Sequence, residues 1–144
     1  MVVKIDGLQI YHYYTGVYPR TIDNGISDIS SEFYFSNNIV QGIDFDSNDC
    51  FAMDQDFTNF QGTQYIWNNI FYNYYGCSSN YGIALRRGTH YFYDNTIYNF
   101  GGRGINVNTD TVVYAKNNLI SSTTDPFWGT FTAGTDYNAT DNSD

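Results

Sequence analysis

Hydrophobic and polar positions recur along this chain in ten-residue blocks: EFYFSNNIVQ, TQYIWNNIFY, THYFYDNTIY and VVYAKNNLIS. Each block begins with alternation, the signature of a strand with one face buried. Phe35, Ile66, Phe92 and Ala115 form one column, and Tyr34, Tyr65, Tyr91 and Tyr114 form the column beside it. A polar pair ending in Asn follows, then a short apolar stretch whose most uniform column is Val40, Phe71, Ile97 and Ile120. The pattern predicts a strand with its tyrosines outward, a bend at the polar pair, and a second strand with that last column inward.

A third strand is written in Gly42-Ile43-Asp44-Phe45, Gly82-Ile83-Ala84-Leu85 and Gly104-Ile105-Asn106-Val107, each a glycine followed by apolar alternation. Aligned on Asn38, Asn69, Asn95 and Asn118, the copies step by 31 (69−38), 26 (95−69) and 23 (118−95) residues. Three strands and three bends per period, with loops of variable length, predict one turn of a triangular solenoid. Asn suits such a bend because it tolerates the left-handed backbone region while its amide bonds nearby main-chain groups. Stacked at the strand spacing of roughly 4.8 Å, those amides can also bond from turn to turn. The asparagines therefore read as structural.

On these residues the chain resembles the right-handed parallel β-helix of the pectate-lyase-like superfamily, from about Val3 to Ser122. Val3 to Ile10 is similar to an opening rung, and Asn24-Gly25-Ile26 to a glycine-led strand. Register there is poorest, because Gln9 and Asp28 fall where later turns carry apolar residues. The resemblance implies an all-β coil of about five rungs, a column about 25 Å tall at the strand spacing. Residues 1–122 hold those rungs, and 123–144 form a polar C-terminal segment that can begin a further one. The coil hosts lyases, hydrolases, adhesins and phage tailspikes, so it implies no single reaction.

The length, 144 residues, fits one domain with a real core. Repeat arrays need polar caps, and neither end supplies an obvious one. Two readings follow: a piece of a longer protein, or a short solenoid covered at its ends by loops or another subunit, as in a homo-oligomer. A net charge of −9 with six basic residues argues against nucleic acid and anionic membranes as partners. No apolar run is long enough to span a membrane or serve as a signal sequence. Few lysines amid abundant Tyr, Asn, Gly and Thr suit an extracellular or virion-surface setting.

Cys50 and Cys77 fit a disulfide, a buried pair, or two independent thiols, and with His12 and His90 isolated there is no zinc pattern. Asn138-Ala139-Thr140 matches a glycosylation sequon.

Three surfaces can carry chemistry. Tyr34, Tyr65, Tyr91 and Tyr114, joined on the same face by Trp67 and Tyr93, offer a row of aromatic rings on which sugars of a polysaccharide or cell-surface glycan can stack; the plainer reading is a ladder that stabilises the sheet. The outward side of the glycine-led strand stacks Asp44, Ala84 and Asn106, then Asp46, Arg86 and Asn108. The resemblance makes that face a lyase groove, where carboxylates hold Ca²⁺ and a basic residue takes a proton; Asp44, Asp46 and Arg86 are the catalytic candidates, against a simple Asp46–Arg86 surface pair. The insertion after Phe45 gathers Asp46, Asp49, Asp54 and Asp56, either a Ca²⁺ loop or a solvated acidic one. No nucleophile elbow, phosphate loop or dinucleotide fingerprint is present. The reading that follows is a non-catalytic surface module presenting a glycan-binding face and requiring no cofactor, with Ca²⁺ the conceivable ion. The alternatives are a polysaccharide lyase or glycoside hydrolase, and a purely structural spacer.

Overall fold

In the computed structural model, described for residues 1–11, 20–23, 31–42, 47–49, 51–54, 61–75, 77–79 and 82–141, the chain is an all-β parallel solenoid. The side chains of 20–23, 47–49 and 77–79 lie outside that description. Taken in chain order, β1 (Val2–Asp6), β2 (Gln9–Tyr11) and β3 (Arg20–Asp23) lie on three different sheets, A, B and C. β4 (Glu32–Ser36), β5 (Ile39–Gln41) and, after β6 (Ser47–Asp49), β7 (Phe51–Asp54) repeat that order. So do β8 (Thr63–Trp67), β9 (Ile70–Tyr74) and, after β10 (Cys77–Ser79), β11 (Ile83–Leu85). β12 (Gly88–Tyr93), β13 (Thr96–Phe100) and β14 (Arg103–Val107) follow, then β15 (Thr111–Lys116), β16 (Leu119–Ser121), β17 (Asp125–Trp128) and β18 (Ala139–Thr140). Among the described residues every pairing is parallel, and β6 with β10 forms a separate two-stranded sheet.

From Thr63 to Trp128 the chain can be followed through almost unbroken described residues around about three turns, not the five expected. Sheets A, B and C extend further, to five, six and five strands, but the connections of the earlier turns fall largely outside the described residues.

The core follows the predicted columns. Phe35, Ile66, Phe92 and Ala115 of sheet A meet Val40, Phe71, Ile97 and Ile120 of sheet B and Ile83, Leu85, Ile105 and Val107 of sheet C, all buried. Phe71 stacks between Phe35 and Phe92 at centroid distances of 6.1 and 6.5 Å. Ile43 and Phe45, also placed in this core from sequence, lie outside the described residues. The glycine-led strand is corrected in the early turns. Gly42 extends sheet B, its N–H donating to Tyr72 O at 2.9 Å, and β7 fills the sheet C position through Met53↔Ile83 and Asp54↔Ala84. β3 likewise precedes Asn24-Gly25-Ile26, pairing Ile22 with Met53. In the regular turns the glycine is required by close approach: a Cβ on Gly104 would stand 2.7 Å from Pro126 O.

The polar pair divides its work in a way the sequence did not separate. Its first residue, Asn37, Asn68, Asp94 or Asn117, is exposed and takes the left-handed conformation at φ 55–56°. Its second, Asn38, Asn69, Asn95 or Asn118, is buried. The backbone N–H groups of these four donate to the Oδ1 of Asn69, Asn95, Asn118 and Asn138 in the following turn at 2.9–3.0 Å. The Nδ2 of Asn69, Asn95 and Asn118 donates to Phe35, Ile66 and Phe92 O of the turn before, at 2.9 Å each. Two buried main-chain groups per corner are thereby satisfied, as low-dielectric interiors demand. Leu8 closes the ladder at the N-terminal side, its N–H donating to Asn38 Oδ1 at 2.9 Å.

Asn138 was missed as a ladder member, although Tyr137-Asn138 sits 20 residues past Asn118 and continues the shrinking steps. With Nδ2 donating to Ala115 O and Oδ1 accepting from Asn118, the sequon amide is consumed by the fold. The segment before it covers an edge for which the sequence showed no cap. Thr132 and Thr135 hydroxyls accept from Val113 and Ala115 N–H on the last strand of sheet A, at 3.2 Å each.

Candidate functional site

Sheet A positions the aromatic face. Parallel register puts Lys4, Tyr34, Tyr65, Tyr91 and Tyr114 in one outward column and Asp6, Ser36, Trp67, Tyr93 and Lys116 in the next. The four tyrosine rings stack at 4.8, 5.1 and 5.2 Å with interplanar angles of 13, 9 and 8°. Lys4 Nζ lies 5.0 Å from the Tyr34 centroid, a cation over the end of the stack. Such stacking has a chemical consequence. Both faces of Tyr65 and Tyr91 are covered by neighbouring rings, so what the column turns to solvent is a row of ring edges and hydroxyls. Face-on sugar stacking is closed to those two rings, while hydrogen bonding remains open.

Trp67 and Tyr93 stand against this stack edge-on, Trp67 at 88° to Tyr34 and Tyr93 at 65° to Tyr91. Burial raises the Tyr93 phenol pKa, helped by Tyr91 and Tyr114, and a hydrogen bond to Glu32 (2.9 Å) raises that of Tyr34. Because Asp6 and Ser36 are small where Trp67, Tyr93 and Lys116 are large, the outer surface is notched on the N-terminal side of Trp67. The notch has a volume of about 290 Å³ and is lined by Lys4, Asp6, Tyr34, Ser36, Asn37 and Trp67. Its carboxylate is fixed. Asp6 Oδ1 accepts from Ser36 Oγ at 2.6 Å and Asn37 Nδ2 at 2.7 Å, which lowers its pKa below the usual carboxylate value.

On sheet C the candidates separate. Asp44 and Asp46 lie outside the described residues, and the register gives the position beside Ala84 and Asn106 to Asp54, not Asp44. Arg86 Nε lies 3.3 Å from Asp54 Oδ1, and its guanidinium lies 5.8 Å from the Phe51 ring centroid. Asp54, Ala84 and Asn106, which share the outward column, are all buried, so this stretch is no open groove. The acidic insertion is likewise divided. Asp54 is a buried strand residue and Asp49 belongs to β6, while Asp56 lies outside the described residues. Among the described residues no group of three or more His, Cys, Asp or Glu side chains could hold a metal ion. Cys50 also lies outside them, and of Cys77 only the backbone is described, in β10.

Two polar side chains inside the coil went unread. Gln64 and His90 share an inward column of sheet A with Phe33 and Val113. His90 Nε2 lies 2.6 Å from Arg87 O, and burial pushes the imidazole pKa down to about 4, so the ring is neutral and Nε2–H is the donor. Alternation could have found this column, two residues before Phe35, Ile66, Phe92 and Ala115.

Comparisons with protein-family models, with curated proteins and with solved structures each return no match for this chain.

Proposed function

We propose that this chain is a non-catalytic surface module, of the kind borne by virions and secreted adhesins, that offers the outer face of sheet A to glycans. The observation that carries this reading is the notch beside Trp67. An indole wall, the Lys4 ammonium, the pre-oriented Asp6 carboxylate and a flanking row of tyrosine hydroxyls combine an apolar surface with donors and acceptors, which is what a sugar ring with its C–H face and hydroxyls requires. The formal charge of −9 favours neutral glycans over polyanionic ones. The setting is extracellular or virion-surface, with no cofactor needed. The coil is right-handed, the hand that strand, crossover and parallel strand adopt in about 98% of cases. It thus retains its likeness to the pectate-lyase-like superfamily, as one stretch of a longer chain or as a homo-oligomer. A lyase reading has less support, because the Arg86 side chain lies against a buried carboxylate.

Glycan-array binding of the wild type, Trp67→Ala and Tyr91→Phe tests this. Loss of signal with Trp67→Ala at unchanged melting temperature is the expected result, with a smaller loss for Tyr91→Phe. Wild-type binding that neither substitution alters would move the site off sheet A. Turnover of polygalacturonate or alginate would replace the module by an enzyme.

A further inference from the structure

The second of the chain's two tryptophans stands on sheet C, away from the sheet A face. Trp128 ends β17, the last strand of sheet C, and is 47% exposed. The Arg103 guanidinium carbon lies 3.6 Å from the indole centroid, and Arg103 Nη1 donates to Asn106 Oδ1 at 3.4 Å. One face of the ring is thereby occupied and its orientation fixed, while its remaining surface borders an open cleft of about 830 Å³. Small-ligand sites span roughly 300–1,000 Å³. Val107 gives the cleft an apolar wall, and Asn108, Asp110, Thr111 and Thr130 give it polar ones. Thr111 Oγ1 accepts from Arg87 N at 2.7 Å and donates to Thr109 O at 3.3 Å, which holds the loop in shape. Asn108 meets Asn106 through Oδ1 at 3.5 Å, so its amide N–H groups are left to donate.

We infer that this cleft is a saccharide subsite separate from the sheet A face, and that it takes a neutral pyranose against the Trp128 indole. The ligand class rests on the glycan reading above; the site rests on the braced indole and the polar cleft. Neutrality follows from charge. Asp110 carries the single formal charge among the described lining residues, and Arg103 is not among them, so an acidic sugar would meet the Asp110 carboxylate with no cation in the cleft wall.

The chain has two tryptophans, one at each face, so their emission can report the sites separately. Trp67→Phe leaves Trp128 as the reporter, and Trp128→Phe leaves Trp67. Each variant is titrated with cellohexaose, maltohexaose and an oligogalacturonate of the same length, with excitation at the red edge where tyrosine does not absorb. The expected result is a saturable change in Trp128 emission with at least one neutral hexasaccharide, weakened about tenfold by adding Asn108→Ala without a change in melting temperature. No Trp128 response up to about 10 mM overturns the subsite, and so does tighter binding of the oligogalacturonate. A response from Trp67 alone overturns this inference and leaves the sheet A reading standing, whereas silence from both removes both.

Discussion

The corner between sheets A and B and the side formed by sheet C belong to the same turns, yet they are built on different terms. At the A–B corner every turn from β4 onward repeats the same device: a left-handed exposed residue, then a buried Asn tied to the next turn. On the sheet C side the strands vary in length, β6 and β10 pair in a sheet of their own, and the turn back to sheet A runs through Arg87-Gly88 in one turn and Asp110 in the next. One rigid seam per turn therefore suffices to hold register, and it frees the opposite side to accept insertions. The period can shrink from 31 to 20 residues without disturbing the seam.

Stability measurements can break or sharpen that contrast. The largest effect belongs to the core shared by both sides: Phe71→Ala should cost about 3–5 kcal/mol in urea unfolding, since a fully buried ring between two others leaves a cavity. Asn69→Ala should cost about 3 kcal/mol, because it strips Asn38 N–H and Phe35 O of their buried partners. Asn106→Ala on the sheet C side loses only contacts of 3.4 and 3.5 Å and should cost under about 1 kcal/mol. Equal costs for the two asparagines would abolish the distinction between seam and permissive side.

A pH series separates the corners further. Amides do not titrate, but the C–A corner is tied by His90, whose folded-state pKa of about 4 lies below the ordinary imidazole value of 6.5. Stability from this group is fully present above pH 6.5 and drains away as pH falls toward about 4, because in that window the unfolded chain binds the extra proton. About 3 kcal/mol is at stake. His90→Leu should flatten that slope; an unchanged slope would place the titration elsewhere. Asp6, with its lowered pKa, acts in a different window, below pH 3.8. A smaller effect is expected from Tyr91→Ala, about 2 kcal/mol for two stacked pairs, with Tyr91→Phe near zero. A melting temperature unmoved by Tyr91→Ala would mean that the stack contributes nothing to the coil.

Legibility in the sequence followed the same division. The seam and the core columns were readable because parallel register forces like residues to sit over like, so Phe35, Ile66, Phe92 and Ala115 announce one another. Sheet C was misplaced in the early turns because a glycine with apolar alternation also fits Gly42, whose actual place is fixed by the tight approach of Asn73 O to any Cβ there. Asp54 was placed in an acidic loop, as a Ca²⁺ ligand or a solvated side chain, since nothing local shows that an acid in an insertion will land opposite Ala84. The Tyr column and Trp67 were identified as a face, but ring orientation, which decides between stacking and hydroxyl contacts, is set by spacing between turns and not by residue type. Trp128 continues the column of Ala84 and Asn106, and Arg103 directly precedes Gly104, but the column legible in the sequence ends at Asn106, so the contact between the two gave no signal.

The ladder also runs in one direction. In each turn the corner N–H and a carbonyl three residues earlier are answered by an Asn that belongs to the following turn, not to their own. During synthesis the newest turn therefore carries two unmet polar groups until roughly one more period of chain has left the ribosome. Assembly must lag translation by a turn, and a pause placed just after an Asn would hold an incomplete rung open to whatever strand edge is nearby.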